Sequence, residues 1–398
     1  AWTPEAGVIS SPEAGALSSP EAGARPRIAV VFYRSYLVAA DLAPVEAVFA
    51  AMRARGFAVI GLFAPSLKAP DAAKWLEENI LKLSPKAIIN ATSFSGRGGN
   101  GRSPLDVAEV PVFQVALSTA TKKAWSEAER GLSPADLAMH VVLPEVDGRI
   151  FAGVASFKEP QAQDPALEFS RFAHSPVPDR IDALADRIAA WHHLARAEPS
   201  ERRPARVLST YPGRHWNMAH AVGVDAPAST NAILTELAQE GHDCAPQREL
   251  IHRLSTEFIH WPMAKYRANL ARLDRALRDD LQAAWDAPEL DLEVQDGDFA
   301  FRAIRSGKAL IALQPERGTP ETRSDEYHDL SRVPRHAYVA FYLWLQEQAD
   351  ALIHIGAHGT LEWLPGKATA LSALCWPEVL VGDLPVISPF IVNAPGAA

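Results

Sequence analysis

Cysteine is almost missing from this sequence. Its 398 residues include 2, Cys244 and Cys375, far apart and outside any C-x-x-C spacing. That excludes a disulfide framework and a thiolate zinc site, and it fits the reducing cytoplasm. No uninterrupted apolar run reaches the roughly 18–20 residues of a membrane span. A basic surplus is missing as well: 39 Lys and Arg stand against 48 Asp and Glu, for a formal charge of −9. A nucleic-acid binder needs a basic face to displace counterions from phosphates, so that class is set aside. A local group of Arg and Lys can still serve an anionic small molecule inside an acidic protein. The phosphate-loop pattern G-x-x-x-x-G-K-[ST] does not occur. There is also no initiator Met and no secretory leader with a basic start and an apolar centre, and the ending at Asn393-Ala-Pro-Gly-Ala-Ala398 is abrupt. The expectation is a fragment of a longer product.

What is present suits a globular protein of two or three domains, with 48% hydrophobic and 22% charged residues. The start repeats Thr3-Pro-Glu-Ala-Gly, Ser11-Pro-Glu-Ala-Gly and Ser19-Pro-Glu-Ala-Gly. Its prolines and glycines oppose a helix and little in it is apolar, so residues 1–26 are expected to be a flexible linker. Ile28-Ala-Val-Val-Phe32 has the length and β-branching of a buried strand. Pro44 can open a helix in which Val45, Val48, Phe49 and Met52 share a face, Gly56 closes it, and Ala58 to Phe63 is the next strand. A β-α-β unit of this kind makes its strands parallel. A helix over 72–83 and strands at 87–90 and 110–115 extend it, and a long helix over 179–196 follows. Its adjacent His192 and His193 point about 100° apart and are expected at the surface. The loop from Ser95 to Gly101 could cradle an anion but lacks the G-x-G-x-x-G register.

A second unit is expected to begin near Arg203. It contains a strand at 207–209, helices over 228–240 and 264–285, a strand at 309–313, a helix over 337–348, and strands at 351–355 and 386–392. The fold class is α/β: two Rossmann-like or flavodoxin-like units with parallel sheets and helical insertions, over 27–200 and 201–398.

The richest segment is His354-Ile-Gly-Ala-His358-Gly-Thr-Leu-Glu362-Trp-Leu-Pro-Gly366. A buried strand ends at His354-Ile355, where open α/β sheets place their ligands. Gly356 can bend the chain, and a short helix opened by Thr360 would bring Glu362 back toward both imidazoles. Two imidazoles and a carboxylate suit a borderline divalent cation. The bend is essential, because in a continuous strand His354 and His358 would stand about 13 Å apart. On spacing alone a second reading stays open: His354 is a satisfied buried histidine and Glu362 caps a turn.

The run from His354 through Lys367, then Leu371-Ser, Cys375-Trp-Pro-Glu, Pro385-Val-Ile and Asn393-x-Pro-Gly, closely resembles the large-subunit family of cobalt and magnesium chelatases. Further segments resemble the same family in collinear order. They are Arg27 to Arg34, Asn90-Ala-Thr, Leu143-Pro-Glu-Val-Asp-Gly148, Ala219 to Asp225, Ala312 to Gly318, and Tyr327-His-Asp329. Within the family the closer match is to the CobN-type cobaltochelatase branch. The resemblance implies insertion of Co²⁺ into hydrogenobyrinic acid a,c-diamide in cobalamin biosynthesis. It also implies ATP and Mg²⁺ handled by separate AAA+-type ATPase subunits, with the corrinoid or tetrapyrrole held here. It assigns His354, His358 and Glu362 to metal binding and proton transfer. For the substrate it points to Arg214, His220, Asp225, Gln314, Arg317, His328, Trp363 and Lys367, with Trp376 a further candidate to cover the ring. Insertion of Mg²⁺ into protoporphyrin IX and a non-catalytic tetrapyrrole-binding module are the alternatives. The missing phosphate-loop pattern predicts that the purified chain alone does not hydrolyse ATP. Phosphate release above the buffer rate would contradict that division of labour.

Overall fold

The computed structural model describes residues 6–9, 25–99, 101–209, 220–221, 224–318, 329–355 and 361–389. They divide into two compact units. One takes in Ala1–His192 with Lys367–Leu371, the other His193–Gly366 with Ser372–Ala398.

In the first unit the elements are β1 (Gly7–Ile9), β2 (Arg27–Tyr33), α1 (Ala43–Ala54), β3 (Ala58–Ala64), α2 (Pro70–Leu83) and β4 (Ala87–Asn90), followed by β5 (Val112–Ser118), β6 (Ile150–Asp164), β7 (Phe169–Pro176) and α3 (Pro178–Arg196). The sheet order is β1-β3-β2-β4-β5-β6-β7. Strands β3, β2, β4, β5 and β6 are parallel, and β1 and β7 close the edges antiparallel. The first long strand therefore sits between the second and the third, the flavodoxin-like order. Apolar residues of α1 and α3 (Val48, Phe49, Met52, Ile181, Leu184, Ile188) cover one face of the sheet. Leu76 and Ile80 of α2 pack on the other, against Val31, Ile60 and Ile88.

Two features depart from the sequence expectation. Strand β1 lies inside the expected linker, where Gly7 lets the chain pass close to the Phe63 ring; a Cβ there would fall 2.5 Å from it. The β6–β7 hairpin was not foreseen. Its turn is set by Asp164, whose carboxylate accepts the N–H groups of Ala166 and Leu167.

The glycine loop is occupied by the protein itself. Asp147, nearly buried, accepts hydrogen bonds from Ser95 Oγ and the Gly96 N–H, and Arg97 lies 3.4 Å from it. Its carboxylate fills the place an anion would take.

The second unit starts with β8 (Pro204–Leu208), the two-residue pair β9 (His220–Ala221) and β10 (Val224–Asp225), α4 (Ala226–Gln239) and α5 (Leu250–Thr256). Next come β11 (Phe258–Trp261), α6 (Met263–Leu270), α7 (Arg275–Trp285), β12 (Val294–Gln295), β13 (Asp298–Ser306) and β14 (Ala309–Leu313). The unit ends with α8 (His336–Gln348), β15 (Ala351–Ile355), α9 (Trp376–Val381) and β16 (Val386–Ile387). The sheet runs β11-β13-β14-β8-β15-β16, with β12 beside β13. Strands β14, β8, β15 and β16 are parallel, whereas β11 and β13 are antiparallel additions.

The helix expected over 264–285 is two helices. Asp274 turns its carboxylate onto the Ala276 N–H and caps the second, which forces the break. Of the strand expected over 386–392, β16 covers the first two residues, and positions from 390 on lie outside the described residues. Helix α8 is enclosed, with every residue from Ala337 to Leu345 buried. Its start is anchored by a buried pair, Arg335 to Asp291 at 2.7 Å, while Asp291 also accepts the Ala337 N–H.

Residues 367–371 are bound into the first unit. Lys367 Nζ donates to the carbonyls of Ser126 and Ala128, and Thr369 N–H to Arg130 O. Trp125 Nε1 donates to Ala370 O and Arg180 Nη1 to Leu371 O. Gly131 has φ of +86° and passes so near Thr369 that a Cβ would lie 2.0 Å from its carbonyl oxygen. Gly131→Ala is expected to destabilise the first unit by about 1–3 kcal/mol, from left-handed backbone strain and the clash together. Thermal unfolding checks it, and an unchanged melting temperature would contradict the close approach.

Candidate functional site

The chain leaves β8 toward β14 on one side and later returns as β15 on the other. The carboxyl ends of β8 and β15 flank this change of direction, the position where open α/β sheets hold ligands. The Ser209 N–H donates to Ile355 O and the Gln314 N–H to Leu208 O, so these three strand ends are tied together.

Because side chains alternate across a strand, His354 points toward α8 while Ile353 and Ile355 enter the opposite face. His354 lies parallel to the Tyr342 ring, with centroids 6.1 Å apart, and its Nε2 is 3.1 Å from the Tyr342 hydroxyl. Gln314 Nε2 donates to that same hydroxyl at 2.6 Å and to Tyr338 OH at 3.1 Å. The phenol is also hydrogen-bonded to Tyr338, one turn back on α8. Burial pushes the His354 pKa down to about 4, so the ring is neutral near neutral pH and one proton is shared across its bond to the phenol. Burial also holds the Tyr342 pKa well above its ordinary value, with Tyr338 and Glu362 adding to the rise. Tyr342 therefore stays a phenol. The Ser209 hydroxyl is buried at the end of β8 with no hydrogen-bond partner among the described residues.

Glu362 stands exposed on the single turn Leu361–Trp363, within electrostatic reach of Tyr342. That turn is held by Arg317, which is nearly buried and donates to the carbonyls of Trp363 and Asp329. Arg317 O in turn accepts the Arg335 N–H. His354, Gln314, Arg317 and Glu362 are thus gathered around Tyr342 and the turn that follows β15.

The remaining expected residues fall elsewhere. His358, Arg214 and His328 lie outside the described residues, as does the Gly356 bend. The side chain of His220 is not described. Asp225 caps α4, its Oδ1 accepting the Ala228 N–H at 2.9 Å. Trp363 is half-buried on the Glu362 turn, and Trp376 is core. Lys367 belongs to the first unit, its ammonium over the Trp125 ring and bonded to two backbone carbonyls. Among the described residues no group of three or more His, Cys, Asp or Glu is arranged to hold a metal ion. Sequence reasoning missed Tyr338 and Tyr342. Their i, i+4 spacing puts both phenols on one face of α8, a signal hidden because that helix is apolar on every side.

A family profile described as CobN/Magnesium Chelatase matches residues 3–398. The chain is 36% identical over 427 residues to the aerobic cobaltochelatase subunit CobN of a Sinorhizobium species, covering 99% of this chain and 33% of that protein. Against the subunit of the same name from Pseudomonas aeruginosa it is 36% identical over 392 residues, 94% of this chain and 31% of that protein. The solved catalytic subunit of cobaltochelatase from Mycobacterium tuberculosis superposes with a TM-score of 0.82 at 31% identity, over 99% of this chain and 35% of that one. The chain spans about a third of the length of these relatives.

The neutral His354 has a consequence for stability. Its pKa of about 4 lies below the ordinary 6.5, so between those values the unfolded chain binds the proton and the folded chain does not. Its contribution is complete above pH 6.5 and is lost as pH falls toward 4, by on the order of 3 kcal/mol at the acid end. Urea unfolding followed from pH 7 to pH 4 should show that loss, and His354→Gln should make it shallower by about that amount, the part due to His140 and the other buried histidines remaining. An equally steep loss in the variant would remove His354 as its source.

Proposed function

The chain belongs to the CobN/magnesium chelatase family, and we propose that it forms part of the tetrapyrrole- and metal-binding subunit of an ATP-dependent cobaltochelatase. The substrates are Co²⁺ and hydrogenobyrinic acid a,c-diamide. ATP is hydrolysed with Mg²⁺ on AAA+-type partner subunits. The observation that carries this is the gathering of His354 and Glu362 around one buried phenol at the carboxyl end of β15. The names of the relatives at 36% identity favour cobalt over magnesium.

Insertion requires a hydrated cation to shed water and ring N–H protons to leave. Glu362 is an exposed carboxylate on the turn after β15, and its role is to meet the cation and accept a proton. His354 is enclosed and neutral, so it acts behind Tyr342. The Gln314–Tyr342–His354 chain fixes the strand ends and keeps each polar atom paired where water is excluded. His358, between the two in sequence, supplies the second imidazole. Arg317 holds the turn that carries Glu362. It is a positioning residue, and its loss would loosen that turn before it altered the chemistry. Arg214, His220, His328 and Trp363 remain candidates for the ring and its peripheral carboxylates, whereas Lys367 is engaged within the first unit and Asp225 caps α4.

In the family-length protein with its ATPase subunits, Glu362→Gln and His358→Ala are each expected to slow cobalt insertion by about 10²–10⁴. Tetrapyrrole affinity should stay within a few-fold. Absorbance of the metallated ring reports insertion, and tryptophan quenching reports binding. Insertion at the wild-type rate by both variants would sink the assignment. Turnover of Mg²⁺ and protoporphyrin IX in place of the cobalt pair would move the protein to the other branch, and binding with no turnover would leave a carrier module.

A further inference from the structure

Arg206 sits in the middle of β8 with no exposed surface. Its neighbours across the ladder are aliphatic, Ile311 of β14 and Ile353 of β15. The face it enters is lined by Leu208, Leu234, Ile311 and Ile353. Among the described residues its Nε, Nη1 and Nη2 meet no oxygen or nitrogen acceptor, and the one group in hydrogen-bonding reach is the Cys244 sulfur. A buried charge left in this state is strongly unfavourable unless something supplies acceptors.

The groups standing beside it are His242 and Cys244, half-buried alternate residues between α4 and α5. His242 Nδ1 is likewise buried without a partner among the described residues. The Cys244 thiol lies 3.6 Å from Leu234 O. A thiol is a poor acceptor, so the guanidinium fork is left with donors and no oxygen. The chemistry that completes this cluster is an oxyanion.

We propose that Cys244 is an oxidation site whose sulfinate is received by Arg206, with a hydroperoxide such as hydrogen peroxide as oxidant. In the first step the sulfur, as thiolate, attacks one peroxide oxygen. The S–O bond forms, the O–O bond breaks, and the thiol proton leaves in the water produced. Sulfur loses two electrons and peroxide gains them, which gives a sulfenic acid. A second peroxide repeats the step to the sulfinic acid, which ionises at neutral pH. Its two oxygens match the paired donors of a guanidinium. Burial pushes the Cys244 thiol up while Arg206 pulls it down and Asp243 pushes it up. Attack is therefore slow, and the selectivity of the site resides in its anionic product. This inference is independent of the chelatase reading, since Arg206 enters the face of the sheet opposite to the one His354 enters.

The test treats the 398-residue chain with millimolar hydrogen peroxide and follows each cysteine by mass spectrometry, with dimedone to trap the sulfenic acid. Cys375, buried at 2% exposure, is the internal control. Cys244 should progress to the sulfinate while Cys375 stays reduced. The melting temperature of the oxidised chain should rise by roughly 2–4 °C. In Arg206→Met, which removes the buried charge and keeps the volume, sulfinate should form about tenfold less and oxidation should lower the melting temperature. Cys244→Asp places a carboxylate there without any oxidant. It should raise the melting temperature beside Arg206, a readout that stands even if Arg206→Met does not fold. Equal sulfinate in wild type and Arg206→Met overturns the proposal, and so does a fall in the melting temperature of Cys244→Asp. If inorganic phosphate stabilises Cys244→Ser as much as peroxide stabilises the wild type, the oxyanion is a free one and the assignment to Cys244 is overturned.

Discussion

A phenol enclosed on every side must be hydrogen-bonded or it destabilises the fold by the full desolvation of its hydroxyl. Tyr342 is such a phenol. It lies on α8, a helix without an exposed residue from Ala337 to Leu345, so beside Tyr338, one turn back on the same helix, its partners come from the sheet beneath. Gln314 at the end of β14 and His354 at the end of β15 are those partners. The requirement fixes two side chains at the carboxyl edge of the sheet, where burial holds the His354 imidazole neutral near neutral pH. Glu362, exposed on the turn Leu361–Trp363, acts electrostatically on the same phenol.

That arrangement depends on where α8 begins and on the turn after β15. Arg335 and Asp291 form a buried pair at the start of the helix, and Arg335 further reaches Glu316 O and Glu293. Its N–H is accepted by Arg317 O, and Arg317 carries the turn bearing Glu362. Each arginine here is bound by carbonyls or carboxylates at nearly every exit, the condition under which a buried guanidinium is tolerated. Arg206 is the contrast within the same unit. It shares their burial and, among the described residues, lacks their oxygen acceptors.

In the first unit the corresponding order is imposed by carboxylates. Asp147 fixes the glycine loop, and Asp136 accepts from Ser118 Oγ, Thr119 Oγ1 and the Thr119 N–H at the end of β5. These bonds use the donors that a glycine-rich loop or a strand end would otherwise offer to a ligand. The richest polar loops of this unit are thereby structural.

The sequence by itself determined the buried parallel strands, because runs such as Ile28–Phe32, Ala309–Leu313 and Ala351–Ile355 can only be stable when covered on both faces. It also determined the helix that Pro44 opens, the body of the helix expected over 228–240, and the placement of the His354-to-Gly366 run at a strand's carboxyl end. These are local signals of period and of cap. Only the tertiary structure decided the pairing of β1 with β3 and of β6 with β7, since strand propensity there is weak and the gain comes from a distant partner. It alone chose Tyr342 as the partner of His354. It also sent Lys367–Leu371, contiguous with the motif, to carbonyls at Ser126 to Arg130. Hydrogen-bond satisfaction of buried groups is a non-local condition. A residue's type states what bonds it must make, and the packed chain states with whom.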